Sequence, residues 1–419
     1  MESSYTLIGP ITQILTLSGL ADKGPLKDDM LELIPDGGIL LMGDLIFKVG
    51  NYEILLSEAD ALAATHIVPD MDCVCTPGFV DAHTHICFAG TRSNDYALRN
   101  SGSSYLEISE AGGGIWDSVQ QTRKSSQEEL SKLTIQRANR HLSEGVSTIE
   151  VKSGYGLSVS EELKMLRAIR MADEHTKADL IATCLAAHTL PRDFEGSKSE
   201  YLMQMANDLF PILIAERLCT RIDAFIEKSA FSAEEIAPYF HAAKTCGFSI
   251  TVHADQFTCE GSRVAAAFKA ISADHLEAST ETEINLLAQS NTIPVVLPGA
   301  SIGLGCAFAP ARKLLDAGTS LVIASDWNPG SAPMGDVLMQ AAVISAAEKL
   351  STAEVFAGLC FRAAKALSLK DRGMLVPGML ADIQAYPCAD YREILYHQGK
   401  MKPQTVWKRG QNSHKNILR

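Results

Sequence analysis

Eight short apolar runs recur along the middle of the chain, with helix-length segments between them. They are Phe79–Ala82, Ser147–Lys152, Leu180–His188, Ile222–Glu227, Ser249–His253, Ala270–Asp274, Thr292–Leu297 and Leu321–Ser325. Several are almost continuous in apolar residues, the pattern of strands buried on both faces of a parallel sheet. The segments between them, such as Ser160–His175 and Ala233–Cys246, open on polar residues and carry apolar ones three or four apart, which predicts helices. Strand and helix alternating in this way predict an α/β chain with a (β/α)8 TIM-like barrel over residues 78–375. The ends read differently. Residues 1–77 hold short alternating runs (Ile11–Leu17, Gly38–Val49, His66–Cys75) with glycine-containing turns, and the tail holds Ala381–Tyr386 and Gln404–Lys408. Residues 1–77 and 376–419 are therefore expected to form one small β-sandwich domain assembled from both termini.

Composition narrows the function classes. A 419-residue chain with 46% hydrophobic and 21% charged residues is an ordinary globular protein with ample core. A net charge of −13 argues against a nucleic-acid backbone or an anionic membrane as partner, though not against a small anionic substrate at a locally basic site. Met1 to Pro10 lacks a basic region followed by an apolar core, and no apolar run reaches the ~18–20 residues that cross a bilayer. The 10 cysteines include no C-x-x-C pair, and Cys73-x-Cys75 is a poor zinc spacing. Reduced thiols and a cytoplasmic protein are expected.

The chemistry collects at the carboxyl ends of the predicted strands, where barrels of this kind place their active sites. His83 and His85 follow the first run; on extended backbone, residues two apart face the same way, so both imidazoles can serve one ion. Lys152 ends the second run, ahead of Ser153-Gly154-Tyr155-Gly156, and His188 ends the third. Glu227-Lys228 ends the fourth, His253 the fifth, His275 follows the sixth, and Asp326 closes the eighth. His83, His85, His253 and Asp326 make a ligand set for one divalent or trivalent ion, Zn or Fe, with a position left for water. His275 and His188 are expected near that ion without ligating it. Outside such a site, Asp326 would be a helix N-cap and the two other histidines structural hydrogen-bonding groups.

Longer motifs sharpen this. Gly78-Phe79-Val80-Asp81-Ala82-His83-Thr84-His85 resembles the entry motif of the amidohydrolase superfamily. Ala89-Gly90-Thr91-Arg92, Gly102-Ser103-Ser104-Tyr105, Gly112-Gly113-Gly114-Ile115 and Glu150 to Leu157 are similar to the imidazolonepropionase family within it. So are His253-Ala254-Asp255-Gln256, Ser272 to Leu276, and Ser325 to Ser331; the similarity runs from about residue 36 to 410. The resemblance implies a hydrolase of histidine degradation that opens the ring of 4-imidazolone-5-propanoate to N-formimino-L-glutamate, with a carboxylate-bearing small molecule as substrate. It implies the same four metal ligands, and Arg92, Tyr105 and Tyr155 as residues that hold the propionate and ring. It places His188 beside the ring oxygen as a catalytic group that stabilises developing charge there, and Asn328, Gly330 and Ser331 on a loop that hydrogen-bonds substrate and product. Nucleic acid and membrane are not expected partners; a homodimer is expected by likeness alone.

Two departures bear on this. Gln256 stands where many relatives carry glutamate; an amide cannot take a proton, so proton transfer falls to His275 and Asp326, with Gln256 kept for a ring nitrogen. Ser301-Ile302-Gly303 stands where the family usually carries bulky aromatics, which puts one pocket wall, and so the substrate, in question. A binuclear site bridged by a carboxylated lysine would have Lys228 as its candidate, Lys152 lying on the wrong strand. The alternatives left open are a deaminase-like amidohydrolase for another cyclic amide or amidine, and a non-catalytic barrel scaffold.

Overall fold

The computed structural model describes residues 4–103, 107 and 112–413. Eight parallel strands follow one another in sequence order around a barrel: Phe79–Asp81, Val146–Lys152, Asp179–Ala187, Arg221–Phe225, Ser249–Ala254, Ser272–His275, Ile293–Val296 and Val322–Ile323. These lie within a residue or two of the apolar runs, because strands walled by helices must be apolar on both faces. The ring closes at its carboxyl rim, where Thr84 bridges Trp327, the Asp326 N–H donates to His83 O (3.0 Å) and the His85 N–H to Trp327 O (2.9 Å). That closure carries His83 and His85 past the end of the first strand and sets them beside Asp326.

A second, mixed sheet draws on both termini: Tyr5–Leu15, Leu33–Met42, Leu45–Asn51, Thr65–Ile67 and Val74–Pro77 join Ile383–Tyr386, Thr405–Lys408 and Gln411–Asn412. It curls until Leu45 bridges Leu380, enclosing Ile8, Ile14, Ile39, Cys75, Ile383 and Trp407 as its own core. The run Gly38–Val49 is a hairpin, turned at Gly43 (φ +59°), rather than one strand. The sequence pattern did not reveal the helix Tyr52–Ala61, which Asn51 caps by accepting the Ile54 N–H (3.3 Å) and which buries only Leu55 and Ala59. With Ile54, Leu55 and Leu56 consecutive and only two of ten residues buried, the helix shows no clear period between β-rich neighbours. No helix of the described residues is long and apolar enough to cross a membrane.

Gly78 is the hinge between sheet and barrel. A Cβ there would meet Ser147 Oγ at 2.6 Å, and its N–H donates to Asp382 O (2.8 Å). Around this joint the floor of the barrel is tied to the sheet by charge: Lys408 Nζ reaches Asp382 (2.6 Å) and Asp179 (2.8 Å), and Arg372 and Arg409 also engage Asp179. Burial pushes the Asp179 carboxyl up, but Lys408 and Arg372 outweigh it and hold it at about 2. A carboxyl depressed from 3.8 to about 2 stabilises the fold at every pH above 3.8, by about 2 kcal/mol, and loses that contribution as pH falls from 3.8 to about 2. Asp179→Asn should therefore lower the unfolding free energy by about that amount near neutral pH. Urea unfolding at a series of pH values checks this, since the gap between variant and parent should close below pH ~4.

Candidate active site

The fifth and sixth strands pair in register with Thr251 opposite Ser272 and His253 opposite Asp274, while Thr251 lies opposite Asp223 of the fourth. Polar side chains at the carboxyl ends of neighbouring strands are thus stacked at matching heights inside the barrel. His83, His85 and His253 converge there, each almost fully buried, with ring nitrogens all within 4.8 Å of one another. His83 Nδ1 faces Asp274 Oδ2 at 2.6 Å, and His253 Nδ1 faces Asp223 Oδ2 at 3.0 Å. A carboxylate behind Nδ1 assigns that nitrogen the proton and leaves Nε2 as a lone pair. Burial first, then neighbouring positive groups, lower His83 and His85 well below the ordinary histidine range, and burial takes His253 down to about 3 against the pull of Asp223. All three rings are neutral at pH 7.

These nitrogens fit a metal ion. His83 Nε2 is buried with no hydrogen-bond partner among the described residues, and His253 Nε2 lies 3.2 Å from His85 Nε2. Asp326 Oδ1 lies 3.4 Å from His85 Nε2 and 3.6 Å from His83 Nε2. Around an ion with bonds of ~2.0–2.1 Å, tetrahedral ligands sit ~3.3–3.4 Å apart, so these separations match ligands of one centre. Without a cation, lone pairs at these distances repel.

Beneath the histidines lies a charged cluster to whose members the sequence motifs assigned no shared role. Lys152 Nζ, fully buried, lies 2.8 Å from Glu150 Oε1, 2.8 Å from Asp223 Oδ2 and 3.7 Å from Asp274 Oδ2. Burial opposes the ammonium, but the three carboxylates outweigh it and raise its pKa; Asp223 is lowered, His253 and Lys152 overcoming its burial. The signal was present: charged residues inside otherwise apolar strands must find partners. Asp223 is one such residue in Arg221–Phe225, but only strand pairing shows whom it meets. Lys228, the candidate for a bridging lysine, is exposed.

The remaining candidates ring this group. His275 sits 5.3 Å from the His253 ring and 5.7 Å from the His83 ring, at a left-handed φ of +88°, with Nδ1 3.5 Å from Glu277. Its pKa is raised: burial pulls it down, and Glu277, Asp326 and Asp274 more than compensate. Burial pushes Asp326 up to about 6. His188 lies 5.7 Å from His85 and 5.5 Å from Tyr155, donates Nδ1–H to Gly154 O (2.9 Å), and is lowered to about 4 by burial. Arg92 spends its Nε–H on Asp95 (2.8 Å), which also accepts the Gly114 N–H (2.9 Å). Its guanidinium packs against Gly330, where a Cβ would run into it. Asn328 is committed to its own loop: Nδ2 donates to Asp326 Oδ2 (2.9 Å) and Ser331 Oγ (3.0 Å), and Oδ1 accepts the Gly330 and Ser331 N–H groups. Gly303, in the segment flagged for its small residues, has its Cα against Ser331 O, with no room for a Cβ. Gln256 is half-buried on the loop after the fifth strand. Tyr105 lies outside the described residues.

The amidohydrolase family model matches residues 74–412. An imidazolonepropionase of Bacillus cytotoxicus is 36% identical over 410 residues, 96% of this chain and 95% of its own length. The chain belongs to the amidohydrolase family, in its imidazolonepropionase branch. An imidazolonepropionase of Myxococcus xanthus is 40% identical over 336 residues, 80% of each chain. Among solved structures, an atrazine chlorohydrolase of Arthrobacter aurescens complexed with zinc superposes with a TM-score of 0.71 at 15% identity, covering 97% of this chain and 94% of that one. The barrel with its appended sheet is thus the family's fold.

The carboxylates behind the imidazoles yield a direct expectation for this amidohydrolase. Asp223→Asn, which removes the charge facing His253 Nδ1, should weaken metal binding by roughly 10- to 100-fold. Competition against a chelator of known affinity checks this, and an unchanged dissociation constant would show that the carboxylate does not govern the ligand.

Proposed function

We propose that this amidohydrolase opens the ring of 4-imidazolone-5-propanoate by hydrolysis, giving N-formimino-L-glutamate. The observation that carries the reading is the three-histidine group with the Tyr155 and His188 rings beside His85, in a chain 36–40% identical to imidazolonepropionases. His83, His85, His253 and Asp326 would hold one ion, and a donor set of neutral imidazoles with one carboxylate suits zinc or iron. Bound there, such an ion supplies Lewis-acid chemistry that makes water nucleophilic near neutral pH.

The chain's own groups supply the rest. Asp326, with its pKa raised towards neutrality, takes the proton that water loses as its oxygen bonds to the ring carbonyl carbon. His275, whose pKa the neighbouring carboxylates raise, returns a proton to the ring nitrogen as the carbon–nitrogen bond breaks. Neutral His188, with Nδ1–H spent on Gly154, offers Nε2 as an acceptor that orients the ring; stabilising charge on the ring oxygen would require a second proton on it. Arg92 keeps its two terminal nitrogens for the propionate, a planar fork matched to a carboxylate. Asn328 and Ser331 hold the loop, and Gly330 leaves room for that fork. The amide of Gln256 hydrogen-bonds a ring nitrogen.

Turnover of 4-imidazolone-5-propanoate by the metal-loaded enzyme, followed as loss of the ring chromophore, tests this reading; no turnover, with deamination of another cyclic amidine instead, would contradict it. Arg92→Met should raise KM about 10- to 1,000-fold, the weight of a charge-assisted bond plus part of a desolvation cost. Equal losses on an analogue lacking the carboxylate would remove Arg92 from this role. His275→Asn should lower kcat about 10²- to 10⁴-fold with metal content unchanged, checked by steady-state kinetics and elemental analysis together.

A further inference from the structure

Glu227 stands just beyond the fourth strand, 4% exposed, and forms no hydrogen bond or ion pair with His83, His85 or His253. Its carboxylate turns instead to the loop after the fifth strand. Oε1 accepts the N–H groups of Phe257 and Thr258, both at 2.8 Å, and Oε2 accepts the Thr258 hydroxyl at 2.9 Å and the Lys228 N–H at 3.3 Å. Two successive backbone N–H groups on one buried carboxylate oxygen make a directional, charge-assisted staple.

The same loop is held from its other side. Asp255 adopts a left-handed φ of +53°, and its carboxylate accepts the Ser262 N–H (3.0 Å), the Ser262 hydroxyl and the Ser279 hydroxyl (2.8 Å). Its carbonyl accepts the Ala278 N–H at 2.7 Å. Gln256 is the single residue between these two staples. Its side chain is half-buried, yet its amide makes no hydrogen bond to any described residue. A bend clamped on both sides around an unspent amide is the arrangement of a group kept for a ligand, since ordering it beforehand removes that cost from binding.

We infer that Glu227 is a positioning residue for the substrate, acting through Gln256 by holding the 256–258 bend in place. The inference rests on the reading of Gln256 as a contact to the substrate ring. Glu227 touches neither metal ligand nor reacting atom, so its removal loosens recognition and leaves the metal in place.

The test is a double-mutant cycle on the metal-loaded enzyme. Glu227→Ala should lower kcat/KM about 10- to 100-fold, the scale of a small misplacement of a positioned group, with metal equivalents unchanged. Glu227→Gln should recover most of that loss, because its Oε1 still receives both backbone N–H groups. In a Gln256→Ala background, Glu227→Ala should cost less than about threefold, since the group it positions is gone. Thr258→Val, which removes one hydrogen bond alone, guards against poor folding: its smaller loss should likewise vanish in the Gln256→Ala background. The same loss in both backgrounds would overturn the role of Glu227, because a merely structural defect adds. A Gln256→Ala enzyme with parental kcat/KM would overturn the reading of Gln256 itself, and the inference with it.

Discussion

A single ammonium set among three carboxylates organises the centre of this barrel. Lys152 lies against Asp223 and Asp274 in the buried interior, and those two carboxyl groups stand behind His253 and His83. An isolated buried charge would cost several kcal/mol, so each member of the cluster is tolerable only with the others present. The consequence reaches the mouth of the site: the imidazole protons are drawn to Nδ1, and the Nε2 lone pairs converge towards Asp326. Barrel closure through Thr84 and Trp327 brings Asp326 into the same group.

Above this rigid floor, the loops that carry the proposed substrate contacts are pinned by carboxylates. Asp95 joins Arg92 to the Gly114 backbone, Glu227 and Asp255 bracket Gln256, and Asn328 ties the loop after the eighth strand to Asp326. Buried acceptors of this kind replace water as partners for loop N–H groups, and so convert mobile connections into fixed surfaces. The close approach of Gly303 to Ser331 belongs to the same design, because the backbone of the helix Pro298–Leu304 lies directly on that loop. Gly303 there follows from packing.

The strands were legible because burial on both faces keeps most of their positions apolar, and the histidines because they stand out at the ends of such runs. Asp223 and Asp274 were as visible as residues but not as partners, since their meaning comes from strand register rather than from local spacing. Glu150 and Lys152 lay inside a motif whose use was obscure until the barrel turned both side chains inward. Asn328 was legible as part of the site loop, yet its amide is spent within the protein, which residue type alone does not disclose. The helix Tyr52–Ala61 was hidden by its own short apolar face.

The account depends on one ion held by three imidazoles, two of which, His83 and His253, have carboxylate partners that fix their protons. Anomalous diffraction from crystals of the metal-loaded enzyme, collected at the absorption edge of the bound element, tests this most directly. The predicted result is one peak among the Nε2 atoms of His83, His85 and His253 and an oxygen of Asp326, with Lys152 Nζ still among its carboxylates. Two peaks, or a single peak bound to Lys228 or to the carboxylates around Lys152, would contradict it.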